Sequence, residues 1–304
     1  MKNYRYRFRN QFSPVANAVL TLIAGLFAFV CVYPMLLCIG VSFTDEKSLA
    51  RYGYRLIPKN FSTRAYEYVM FNSHQLLNSY IVTILITVIG TLLAISIVAM
   101  LAYPMSRPNF KYRNFYSFVV FFTMMFSGGL VPSYIINTQY YHLTNTIWAI
   151  ILPACCSAFN VIILRTFFSS NVPASLIESA KIDGAGEFYA FLRIALPISG
   201  PGIATIALFL TIGYWNEWFN ALLYINNNKL VPLQLLLVRI QNNLDMLQQT
   251  ANIPGADKEA WIANLPSDTA RMAMVLFSVG PIILAYPFFQ RYFVKGMTIG
   301  AVKE

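Results

Sequence analysis

The chain has 304 residues, of which 57% are apolar, 15% aromatic and only 11% charged, with a formal net charge of +10 at pH 7. Ordinary soluble domains carry about 25% charged residues, so a soluble globule is excluded and a membrane protein is expected. The basic excess does not point to nucleic acid, because Lys and Arg lie in short groups at the ends of apolar runs, where they set topology.

A bilayer core takes roughly 20 apolar residues per helix. Six stretches meet that length: about 16–40, 79–103, 115–137, 147–168, 200–224 and 270–290. The first is too long for a cleaved signal peptide and has no A-x-A cleavage pattern at its far end, so it reads as a retained helix. Ser127-Gly128-Gly129 and Pro132 interrupt the third, Pro153 sits in the fourth, and Pro281 and Pro287 sit in the sixth. Such breaks are tolerated where neighbouring helices or a water-filled cavity satisfy the freed backbone groups. They suit a transport path or plain kinks equally. The expected fold class is therefore all-α, with six transmembrane helices.

Orientation follows from the positive-inside bias. With both termini inside, the inner segments 1–15, 104–114, 165–199 and 291–304 carry Lys2, Arg5, Arg7, Arg9, Arg107, Lys111, Arg113, Arg165, Lys181, Arg193, Arg291, Lys295 and Lys303. The longer outer segments, 41–78, 138–146 and 225–269, are more sparsely basic, with Lys258 near the end of the last. An N-in, C-in arrangement is expected. Along the chain this gives a first part over 1–78, a core membrane domain over 79–290 and an inner tail over 291–304.

Chemistry is thinly represented. Cys31, Cys38, Cys155 and Cys156 all lie in apolar runs without metal-site spacing, so no metal is expected. No Gly-Lys dipeptide occurs, hence no G-x-x-x-x-G-K phosphate loop. His74 and His142 stand alone, and no H-E-x-x-H or G-x-S-x-G pattern is present. No enzyme site is expected.

One polar island stands out between the fourth and fifth spans: ESAKIDGAGEFYAFLRIALP, residues 178–197. Asn171-Val172-Pro173 reads as a helix start, and the helix runs to Asp183 and stops at Gly184, which tolerates a left-handed cap. Beyond it Phe188, Phe191, Leu192 and Ala195 fall on one helical face. The result, over about 171–199, is a pair of short amphipathic helices around a glycine turn. By composition it is either an interfacial pair on lipid headgroups or a docking element for a partner's groove.

The residue order is more telling. Glu178-Ser179-Ala180, then Gly184, Ile194, Leu196 and Pro197 at their spacings resemble the E-A-A-x3-G-x9-I-x-L-P signature of ABC-importer permeases, with Ser179 replacing one Ala. Phe126–Tyr134, Tyr214–Trp218, Pro232-Leu233-Gln234-Leu235 and Gln290–Met297 are similar to segments of carbohydrate-importer permeases, above all the oligosaccharide group. The resemblance covers nearly the whole chain. It implies the type I importer permease fold in a bacterial cell membrane, with a second, non-identical permease, two ATPase subunits and an extracellular substrate-binding lipoprotein. It also implies that 178–184 is a coupling helix seated in a cleft of the ATPase. Glu178 would pair with a basic ATPase residue, Asp183 and Gly184 would form the turn, and Ile194, Leu196 and Pro197 would anchor the second helix. ATP and Mg would belong to the ATPase, leaving no cofactor on this chain.

Glu217 is the one acidic residue deep in an apolar run, in Tyr214-Trp215-Asn216-Glu217-Trp218. Membrane-embedded acids usually face a bundle interior or cavity, and rings beside amide and carboxylate groups suit a sugar path. An aromatic belt at the outer interface is the other reading. The segment 225–269, with polar Gln241–Gln249, suits contact with the binding protein or with the second permease. Two other functions remain in view: an importer of the same type for a non-sugar solute, and an autonomous secondary transporter. The latter would want coupling acids in several spans and inverted repeats.

Overall fold

The computed structural model describes residues 14–70, 73–251 and 267–300. Lys2, Arg5, Arg7, Arg9, Lys258 and Lys303 of the topology argument, and 252–266 of the long outer segment, lie outside them. The described residues are helical and contain no strand beyond an isolated Thr44–Phe61 bridge. The helices begin with α1 (Pro14–Ser42), α2 (Glu46–Tyr52), α3 (Arg64–Met70), α4 (Ser73–Ser106) and α5 (Arg113–Met125). There follow α6 (Leu130–Ile135), α7 (Trp148–Ala154), α8 (Ala158–Asn171), α9 (Ala174–Ile182), α10 (Glu187–Ala190) and α11 (Leu196–Ile198). The last are α12 (Gly200–Trp215), α13 (Phe219–Tyr224), α14 (Leu233–Ala251) and α15 (Ser267–Gly300).

Among the described residues, only α1 and α4 are single helices long and apolar enough to cross a membrane. Three bent pairs bring the number of candidate spans to five: α5 with α6, α7 with α8, and the 187–198 helix with α12, bent by 110°, 50° and 81°. The third expected span breaks where the glycines are, with Phe126 extended and Gly129 at φ 87°. The fourth breaks at Cys155–Ser157, after α7 has taken in Pro153. In the sixth, the expected interruptions do not occur. The α15 backbone runs through both Pro281 and Pro287. Proline removes one donor, and other helices or side chains can satisfy the carbonyl it frees.

The chain divides into two compact units, Met1–Val69 with Gln248–Leu276, and Met70–Leu247 with Phe277–Glu304. These cuts fall at other places than the sequence partition at 78/79 and 290/291. A side-chain cap gives the reason for one of them. In the first unit the Glu46 carboxylate accepts from Asp268 N at 3.1 Å, Thr269 N at 3.2 Å and Thr269 Oγ1 at 2.7 Å. The opening N–H groups of a helix lack internal partners and favour a negative charge. Glu46 therefore fastens the start of α15 to the N-terminal segment, 222 residues away in sequence. Glu46→Ala should weaken this cap by ~0.5–2 kcal/mol. Amide exchange at Asp268 and Thr269 is then expected to accelerate severalfold to about thirtyfold, with Glu46→Gln in between. Unchanged exchange would show that the cap contributes nothing.

The second unit is built on α4, against which α8 and α12 pack. Its core includes Val82, Ile86, Ala94, Val98, Ala102, Leu164, Phe168, Ile206 and Leu210. Helices in lipid gain little from hydrophobic burial against one another, so small residues that permit close approach matter more. Gly90 of α4 faces the Tyr214 ring of α12, and Gly202 of α12 faces the Phe167 ring of α8. The polar connection after α13 is tied in as well. Thr83 Oγ1 accepts from Leu233 N at 2.8 Å, while Gln75 and Asn78 donate to the carbonyls of Asn228 and Lys229. The polar stretch 241–249 lies within helix α14, whose Leu233, Leu235 and Leu244 are buried.

Candidate functional site

The polar island forms a defined hairpin. Helix α9 ends at Ile182 with Asp183 as its C-cap, and Gly184 takes φ 86°. The Gly184 N–H donates to Lys181 O at 3.0 Å and the Ala185 N–H to Ala180 O at 2.9 Å. This pair of bonds is the Schellman termination, which satisfies carbonyls that the helix end would otherwise leave open. Across the turn Lys181 forms an ion pair with Glu187. Tyr103 donates to Glu187 Oε2 at 3.3 Å, tying the hairpin to the end of α4. The sequence reading missed this pair, although a Lys three residues before the glycine and a Glu three after it are placed to meet across a tight turn.

Each signature residue has a definite place. Glu178 is exposed and makes no ion pair among the described residues. Ser179 donates to Ser175 O at 2.9 Å and is exposed, while Ala180 is half-buried. Asp183 and Gly184 sit exposed at the tip, beside Ile182 at 86% exposure. On the returning helix Ile194 and Leu196 pack on the core, whereas Pro197 is exposed within α11. On the expected apolar face of that helix, Phe188 and Phe191 lie side by side with ring centroids 6.3 Å apart, but burial is uneven. Phe191 and Ala195 are buried together with Ala190, but Phe188 and Leu192 are exposed. A π-helical turn over Phe191–Ala195 shifts the repeat away from the i, i+3, i+4 pattern for the residues beyond Phe191. Between the hairpin and α4 lies a cleft of about 730 Å³, lined by residues that include Glu178, Ile177, Arg107 and Phe188.

The second candidate group sits at a break, not inside one continuous span. Helix α12 ends at Trp215 and α13 starts at Phe219. Tyr214 and Trp215 are buried, with Tyr214 OH donating to Ile151 O at 3.0 Å and Trp215 Nε1 to Ser278 O at 2.9 Å. Asn216 is exposed, donates to Ile212 O at 2.9 Å and accepts from Gln234 at 3.3 Å. Glu217 is half-buried and accepts from the Asn220 N–H at 2.9 Å, so its carboxylate serves the first turn of α13. Trp218 is exposed beside the edge of the Phe219 ring. The half-buried acid is thereby explained: a helix start supplies its donor.

The described residues thus form apolar candidate spans with a glycine-capped polar hairpin between two of them. Residues 94–299 match the family described as binding-protein-dependent transport system inner membrane component. The chain is 38% identical to the polygalacturonan/rhamnogalacturonan transport system permease protein YtcP of Bacillus subtilis, over 91% of this chain and 94% of that one. It is 39% identical to protein LplC of the same organism, over 93% and 92% of the two chains. Among solved structures, a bacterial ABC transporter involved in the import of the acidic polysaccharide alginate superposes with a TM-score of 0.74 at 26% identity, covering 93% of this chain and 99% of that one. The chain belongs to the family of binding-protein-dependent transport system inner membrane components. It is a membrane-spanning permease of an ABC importer.

Proposed function

We propose that the chain forms half of the translocation path for an oligosaccharide, and couples its movement to ATP hydrolysis on a separate ATPase through the hairpin at 171–199. The observation that carries the coupling role is the Schellman-capped turn at Gly184, which holds Glu178 and Ile182 outward on a rigid tip. A rigid tip can transmit ATPase closure as displacement, whereas a floppy loop would absorb it. In this reading six spans run N-in and C-in, α15 supplies the sixth, and the hairpin lies in the cytoplasm. A second, non-identical permease, two ATPase subunits and an extracellular binding lipoprotein complete the machine. Hydrolysis belongs to the ATPase, in keeping with a sequence that has no Gly-Lys dipeptide. ATP and Mg are therefore bound there, and this chain holds no metal.

A carbohydrate substrate is favoured by the relatives named for polygalacturonan/rhamnogalacturonan and for arabinooligosaccharides, the latter 27% identical over 96% of this chain. Uptake by the assembled importer of a labelled panel of galacturonate oligosaccharides, neutral oligosaccharides, amino acids and peptides tests this. Saturable uptake confined to the sugars is expected, and uptake confined to amino acids or peptides would contradict it.

For the sugar path, Asn216, Glu217 and Trp218 carry the reading, while Tyr214 and Trp215 support them from within. Glu217→Gln keeps the shape and an acceptor oxygen for Asn220 N but removes the charge. Uptake per assembled complex should fall roughly 10-fold, the loss expected of about 1.4 kcal/mol in a charged hydrogen bond, and the drop should differ between sugars. An equal loss of protein and uptake, without sugar dependence, would assign the segment to the interfacial belt.

A further inference from the structure

The break between α7 and α8, near the middle of the fourth candidate span, leaves its polar groups unanswered. Ser157 precedes α8 without a capping bond from its side chain, and the N–H groups of Ala158, Phe159 and Asn160 donate to nothing among the described residues. Irregular backbone at membrane depth is tolerated where it is buried in protein or lines a water-filled cavity. Asn160, on the first turn of α8, decides between the two. It is only 7% exposed, and its side-chain amide has no partner among the described residues. Thr87 Oγ1 and Ser199 Oγ are also buried without partners, but they are fully enclosed, so no ligand can meet them. The Asn160 amide is not enclosed in this way and keeps a little surface. Buried polar groups are nearly always bonded, and polar side chains inside a membrane usually face a bundle interior or a cavity. One turn before the break, Ile151 O accepts from Tyr214 OH at 3.0 Å, which ties this region to the segment 214–218.

We propose that this break is a sugar-binding station of the translocation path, where Asn160 and Ser157 meet hydroxyls of the passing oligosaccharide. The inference rests on the sugar reading above. An amide and a hydroxyl both donate and accept, as sugar hydroxyls do, and the opening N–H groups of α8 add donors. Residues 148–160 contain no charged side chain, so the break offers no counter-charge to a lipid phosphate or a cation. A site that hydrogen-bonds substrate hydroxyls has unpaired groups of its own when empty, which is the state of Asn160. Through the Tyr214 bond the path gains a second station beside Asn216–Trp218, as a substrate longer than one sugar requires.

The test uses the complete importer in proteoliposomes with its binding protein, offered a galacturonate trisaccharide and a neutral trisaccharide. Asn160→Leu should lower uptake per assembled complex at least tenfold, with Asn160→Ser in between. Its thermal unfolding midpoint should stay equal or rise, because Leu removes a buried amide that had no partner. An asparagine that serves the fold or the second permease would behave in the opposite way, with stability and assembly lost in step with uptake. A second variant reads access directly. In a complex with Cys31, Cys38, Cys155 and Cys156 replaced by Ser, Asn160→Cys should react with a water-soluble methanethiosulfonate. Whichever trisaccharide the wild type imports, delivered by the binding protein, should slow that reaction at least threefold. Normal uptake by Asn160→Leu, with sugar import by the wild type, would overturn this site alone. So would a joint fall of uptake, stability and assembly, or an Asn160→Cys thiol that the reagent does not reach. Import of neither trisaccharide by the wild type would overturn the sugar reading and this site together.

Discussion

Gly184→Val is expected to abolish ATP-driven uptake while leaving the membrane core folded. A Cβ at this position would meet nothing within 4 Å, so crowding is not the problem. The problem is φ 86°, a left-handed conformation that disfavours L-residues by roughly 1–2 kcal/mol, and β-branched ones more. Relief of that strain turns the backbone away and breaks the bonds from Gly184 and Ala185 to Lys181 and Ala180. The tip then loses its fixed direction. A graded series follows from the same physics: Gly184→Asn should retain most uptake, Gly184→Ala less, and Gly184→Val none above background. Glu178→Ala should also lose uptake. As an exposed residue it should change stability by only about 0.5 kcal/mol or less. Uptake in proteoliposomes, normalised to assembled complex, measures both. Normal uptake by the Val and Ala variants would remove the hairpin from the coupling route.

The second large effect lies in the core. Gly90→Val should strongly reduce assembled importer, because even the Cβ would stand 2.8 Å from Tyr214 Cζ and 2.9 Å from Cε2. Those atoms belong to a buried ring whose hydroxyl is fixed by Ile151 O, so the ring cannot swing aside freely. Overpacking of this kind is unfavourable by ~1–3 kcal/mol, and losing the buried hydroxyl's partner adds ~1–3 kcal/mol. Gly90→Ala should show the smaller part of the effect. Combining Gly90→Val with Tyr214→Leu should restore assembly beyond what either change alone predicts, since residues in contact are not additive. Thermal unfolding of the purified complex reads both. Additive losses would mean that α4 and α12 do not meet through this pair.

The hairpin was the most legible part of the site, because its determinants are local. A proline before the helix and a glycine after it mark the ends in any context. The π-helical turn over Phe191–Ala195 left no such mark, and the face shared by Phe188, Phe191, Leu192 and Ala195 divides into buried Phe191 and Ala195 and exposed Phe188 and Leu192. Tyr214 and Trp215 look in sequence like sugar-binding rings. Their burial depends on Ile151 and Ser278, each 63 residues away. The Glu46 cap was illegible for the same reason. Apolar length found most of the spans, yet hydrophobicity does not record direction, and only Gly129 among the interruptions marked its bend in advance. Proline proved a weak stop signal, as Pro153, Pro281 and Pro287 all lie inside helices.

The claim on which the rest depends is that the hairpin tip is the face that meets the ATPase. A photo-crosslinking residue in place of Ile182, 86% exposed at the end of α9, reads this directly in the complete importer. Illumination should give a product whose mass is the sum of permease and ATPase, and its yield should change when ATP closes the ATPase dimer. The same label at Trp148, exposed at the start of α7, should give no ATPase product. Adducts at position 182 with lipid alone, in a preparation that still imports sugar on ATP addition, would contradict the account.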